Sequence, residues 1–75
     1  MRLEIITPSV SNIYNIKSLH FSSKEDSFSI LENHAPFIKT MDHGNIRTKG
    51  DTEINIFINK AIIKVINNSI SVIEL

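Results

Sequence analysis

The chain has 75 residues, no cysteine, and eight basic side chains balanced by eight acidic ones. That length allows one domain with a thin core, unbraced by disulfides or thiolate metal sites and close to the lower limit of independent stability. The even charge offers no field to gather nucleic acid or anionic lipid, and no apolar stretch nears the ~20 residues that span a bilayer.

The N-terminus passes straight into a strand-like pattern with no apolar signal core, so the chain reads as soluble, in a reducing cytosol, with any membrane association made through a partner. Leu3, Ile5 and Thr7 share one face of a first strand that Pro8 helps to end. Ile16, Leu19 and Phe21 belong to a second. Ser22-Ser23-Lys24-Glu25-Asp26 is a polar loop. Phe28 and Ile30 point one way from a third strand, and Ser27 and Ser29 the other.

After Asn33-His34-Ala35-Pro36, the residues Phe37, Ile38 and Met41 continue as strand. Asp42-His43-Gly44-Asn45 is a turn in which Gly44 is expected at positive φ. Ile54, Ile56 and Ile58 alternate with Asn55, Phe57 and Asn59, and Ala61 to Ile66 is a further apolar run. Asn67-Asn68 is a two-residue hairpin turn, because Asn tolerates left-handed geometry, and Ile70 and Val72 share a face of the last strand. Phe57, Ile63 and Ile73 break the polar-out rule, so some strands are expected to be covered on both faces, by a second sheet or a partner. Nothing forms a convincing helix. One all-β domain over residues 1–75 is expected.

Catalytic signals are sparse. There is no Gly-x-Ser-x-Gly elbow and no phosphate-cradling loop, and only two glycines exist to build one. His34 and His43, with Asp26, Glu32 and Asp42, are conceivable N/O metal ligands, but none of their spacings favours convergence. The bland reading makes them ordinary turn or interface residues. Asn33-His34-Ala35-Pro36-Phe37 joins a rigid Pro to an aromatic at a strand corner, a good shape for a docking knob. Alternatively, Phe37 is core and His34 caps a backbone group. Lys24-Glu25-Asp26 is either a contact loop or merely solvated.

The Asn-His-Ala-Pro corner followed by Gly44-Asn45-Ile46-Arg47 resembles the N-terminal β-sandwich domain of the epsilon subunit of F-type ATP synthases, called delta in mitochondria. Leu3-Glu4-Ile5-Ile6-Thr7-Pro8, Ile16-Lys17-Ser18-Leu19, Ile56 to Val65 and Ile70-Ser71-Val72-Ile73 are similar to further family strands in the same order. Lys60-Ala61 stands where the family has a Gly pair, and Ser27 where it often has an acid.

The resemblance implies a small flattened β-sandwich or barrel of about eight to ten short strands, a count within the range of ordinary sheets. It implies a non-catalytic rotor subunit without cofactor, linking gamma to the c-ring at the cytoplasmic face of a bacterial membrane. Thr7, His34, Pro36, Phe37 and Lys39 become candidate gamma contacts, with Phe37 and Met41 as apolar anchors or, alternatively, core residues. Glu25, Asp26 and Ser27 become candidate c-ring contacts. With Leu75 closing the last strand, the family's C-terminal helical hairpin, its autoinhibition and its ATP site are expected to be absent. The alternative is a free-standing β-sandwich adaptor or small-ligand module with an unrelated partner.

Overall fold

The computed structural model describes residues 1–75. Nine strands follow in order: β1 Arg2–Ile6, β2 Ser11–Asn15, β3 Ser18–Ser22, β4 Ser27–Leu31, β5 Phe37–Met41, β6 Gly44–Lys49, β7 Asn55–Ile58, β8 Ala61–Ile66 and β9 Ser69–Glu74. They form two sheets, one ordered β2-β1-β9-β8-β5 and the other β4-β3-β6-β7. Every pairing is antiparallel except β1 with β9, where Leu3 lies beside Ile70 and Ile5 beside Val72. The all-β sandwich is therefore established.

Period-2 alternation selects what goes inside. Leu3, Leu19, Ile30, Ile46, Ile63 and Ile70 are fully buried between the sheets, with Val65 and Val72 beside them. Each such side chain contributes about 1.5–3 kcal/mol on leaving water. Thr48 is the one buried polar side chain, and it is satisfied: its hydroxyl donates to the Thr52 carbonyl (3.1 Å) and accepts from the Ile54 amide (3.0 Å). Asn67 and Asn68 adopt φ of 52° and 60° between the Ile66–Ser69 pair, the expected hairpin turn.

Four expectations are corrected. Gly44 has no positive φ; it faces inward on β6, where an added Cβ would lie 2.7 Å from the Phe21 ring and from the Ser22 carbonyl oxygen. Gly50, after β6, holds the positive φ of 131°. The strand after β1 is Ser11–Asn15, for which no strand was expected, and Ile16, expected in a strand with Leu19 and Phe21, is a buried residue between β2 and β3 joined to Met1 by reciprocal backbone hydrogen bonds. Met41 is core at 2% exposure, leaving no surface for an anchor. Ile63 points inward with Ala61 and Val65, so it does not break the pattern.

Candidate functional site

The corner between β4 and β5 is held from two sides. Asn33 takes φ 64°, and its amide donates to the Asn68 side-chain oxygen (3.0 Å), tying the corner to the β8–β9 hairpin. His34 Nδ1–H donates to the Ala35 carbonyl at 2.6 Å, and its ring lies 5.2 Å from that of Phe37. His34 thus caps a backbone group, while Phe37 is packed partly buried against the core and is not part of it. His34, Ala35 and Pro36 remain exposed.

An aromatic series runs inward from there. Phe37 meets Phe28 edge-on at 6.0 Å, and Phe28 stacks on Phe21 at 5.2 Å. These contacts join β5, an edge of one sheet, to β4, an edge of the other. Lys39, on the same face of β5 as Phe37, sets its ammonium 5.5 Å from the Phe28 ring centre and 2.6 Å from an Asp26 carboxylate oxygen. A candidate gamma residue and a candidate c-ring residue thus form one ion pair across the edge.

That pair holds the Asp26 carboxyl below its usual 3.8: the Lys39 hydrogen bond is the largest cause, desolvation opposes it, and the Lys39 charge and the Ser27 amide add to the lowering. Because the folded-state value is depressed, the pair stabilises above the unfolded value, and the gain is lost as pH falls through the folded one. Asp26→Asn is therefore expected to lower the urea midpoint at pH 7, with the difference fading between about pH 5 and pH 3. A difference equal at all pH values would remove Lys39 as its cause.

The loop carrying Asp26 is ordered by Ser23, whose hydroxyl accepts from the Glu25 (3.3 Å) and Asp26 (3.1 Å) amides, while the Ser23 amide donates to the Asp26 carbonyl (2.8 Å). Glu25 stays exposed, and with Lys24, Asp42 and His43 it borders a polar cleft of about 70 Å³. His34 and His43 lie beyond opposite ends of β5, so the two do not converge. Thr7 lies beyond the end of β1 that pairs toward Ile73, three strands from β5 and at the opposite end from His34. Its hydroxyl is engaged with both Val10 backbone groups (3.1 and 3.2 Å).

What connects these positions is the outer face of the five-stranded sheet. The registers align Ile6, Ile73 and Ile62 in one row near Thr7. The Glu4–Ser71–Lys64 row ends in Ile38. Pro36, Ile38 and Ile66 border a groove of about 280 Å³ beside the corner. Ile38 is 69% and Ile66 42% exposed. Of these isoleucines only Ile73 was singled out from the sequence as breaking the polar-out rule, although Ile5-Ile6 and Ile62-Ile63 place apolar residues on both strand faces. Patches of this kind mark protein contacts.

Two stacked sheets around an apolar core, with clefts only at the surface, define a small β-sandwich. The chain belongs to the family described as the ATP synthase, Delta/Epsilon chain, beta-sandwich domain, which matches residues 1–74. No curated protein matches it. Its fold is similar to that of a chain in the Tetrahymena thermophila mitochondrial ATP synthase structure of the central stalk and c-ring. The TM-score is 0.85 at 12% identity, over 100% of this chain and 63% of that one. No helix is long and apolar enough to cross a membrane.

Proposed function

We propose that this domain is a non-catalytic rotor element of an F-type ATP synthase, joining gamma to the c-ring so that the two turn together at the cytoplasmic face of a bacterial membrane. The observation that carries this is the outer face of the five-stranded sheet, where the Ile6–Ile73–Ile62 row at the Thr7 end and Ile38 with Ile66 at the Pro36 corner flank a polar Glu4–Ser71–Lys64 row. A gamma subunit lying across that diagonal would touch Thr7, His34 and Pro36 together, which no smaller contact can do. Phe37 and Lys39, both only partly buried, stiffen the edge through Phe28 and Asp26.

Glu25, Asp26 and Ser27 present the other contact, to polar loops of the c-ring, from a loop already ordered by Ser23. Asp26 is partly committed to Lys39, so Glu25 carries the freer charge. An exposed ion pair gives only about 0–1 kcal/mol, so this contact orients more than it binds. A close-packed sandwich has little compliance, which suits transmission of torque without slip.

The test is binding of the purified chain to gamma from the same source, followed by ion-pumping assays in membranes stripped of it. Saturable binding, restored coupling and no ATPase in the chain itself are expected. Glu25→Gln should leave gamma affinity within about 2-fold while loosening coupling, because lone rim charges contribute little to affinity. Full coupling in membranes shown to lack the chain would overturn the reading.

A further inference from the structure

The outer face of the four-stranded sheet is chemically unlike the isoleucine face. Across its middle run Ser29, His20, Arg47 and Asn55 in one register row. Lys49 stands in the next row, beside Ser18. None of the outward-facing residues of β3, β4, β6 or β7 is Asp or Glu. The chain as a whole is neutral, so its acids are gathered elsewhere. Both ion pairs of the structure involve other residues, Arg2 with Glu4 and Lys39 with Asp26, which leaves Arg47 and Lys49 without a carboxylate partner within 4.0 Å. Acids stand only on the rim, among them Glu53 in the β6–β7 loop, which borders a shallow groove with Arg47, Lys49 and Asn55.

The centre of this face is also rigid. The His20 ring is hydrogen-bonded on both nitrogens, to Ser18 at 3.1 Å and Ser29 at 2.8 Å, so it lies fixed beside Arg47. At two opposite corners stand exposed apolar side chains, Leu31 on β4 and Phe57 on β7, at 59% and 61% exposure. Strand spacing and rise put these about 20 Å apart, on a face about 14 Å across. That is too small for a standard interface of about 800 Å² per partner, and it fits a short segment instead.

We infer that this face docks an acidic protein segment, with carboxylates over Arg47 and Lys49 and an apolar residue reaching Leu31 or Phe57 at each end. This contact is separate from the gamma and c-ring surfaces and does not depend on the stalk reading. Extended chain covers the gap between the two corners in about six residues.

The experiment is an amide NMR titration of the whole chain with an acetylated heptapeptide of five glutamates flanked by leucines. The controls are the same peptide with lysines in place of the glutamates and vesicles of phosphatidylglycerol. Saturable shifts confined to β3, β6, β7 and Leu31 are expected, weakened by 0.5 M salt. Arg47→Gln and Lys49→Gln, both exposed and expected to fold, should each weaken binding by up to about 5-fold, and together by ten-fold or more. No shifts, shifts centred elsewhere, an equal response to the lysine peptide, or unchanged affinity in the double variant would overturn the inference. So would binding to vesicles without binding to the glutamate peptide.

Discussion

Gly50→Ala is expected to lower the melting temperature by at least about 12 °C, more than any exposed substitution in this chain. Gly50 combines two constraints that a side chain cannot meet together. Its φ of 131° lies where L-residues with a Cβ are strained, and that Cβ would sit 2.5 Å from the Lys17 amide nitrogen and 3.0 Å from the Ile16 backbone. Those are main-chain atoms with nowhere to go. The Lys17 amide donates to the Lys49 carbonyl at 2.7 Å, and Ile16 is buried.

The φ strain costs about 1–3 kcal/mol and the forced backbone shift a similar amount, so the total is about 3 kcal/mol or more. A domain of this size has only about 4–11 kcal/mol to lose. Gly44→Ala meets a slightly longer contact, 2.7 Å, and its φ is ordinary, so the backbone strain of about 1–3 kcal/mol is absent. It is expected to be the milder variant, by about 1 kcal/mol or more. Thermal unfolding followed by circular dichroism compares them directly; a larger drop for Gly44→Ala would show that ring crowding by Phe21 outweighs backbone strain.

The two glycines also show where sequence reading stops. A glycine between strands advertises either a left-handed turn or a close approach, and nothing local separates the two. Gly44 sits in a plausible turn, yet it is required by the Phe21 ring of a neighbouring strand, a contact made only once β3 and β6 pair. Asn67-Asn68 was legible because both requirements, flanking alternation and tolerance of positive φ, lie within six residues. Strand β2 was not, because only Tyr14 of its residues is partly buried and Ile13 points outward at 58% exposure, so no alternation marks it.

The corner residues were legible as a corner. Their relation to Thr7 was not, since it follows from β1 running parallel to β9. The isoleucine face escaped for the same reason. Which of Ile62 and Ile63 faces out is decided by cross-strand register: Ile63 lies opposite Val72 and is buried, while Ile62 lies opposite Ile73 on the outside. The doublets announced that both faces are apolar without saying which face a partner would cover.

Ile38→Asp with Ile66→Asp is therefore the decisive test of docking. Both side chains project from the sandwich beside Pro36, at 69% and 42% exposure, so charging them leaves the buried core untouched. The melting temperature should move by no more than a few degrees, since outward substitutions usually change stability within about 0.5 kcal/mol. In the complex, the same carboxylates would be buried with only Lys64, opposite position 38, to offset them, which still costs several kcal/mol. Affinity for gamma should then fall by about 100-fold or more, as expected when central apolar anchors are removed. Thr7→Ala, at the rim of the same face, should cost less than about 5-fold, because its hydroxyl is already occupied by Val10. Calorimetric titration of gamma with each folded variant separates the cases. A double variant that folds and still binds gamma as the parent does would remove this face from the interface. An affinity loss confined to His34→Ala or Pro36→Ala would shrink the contact to the corner alone.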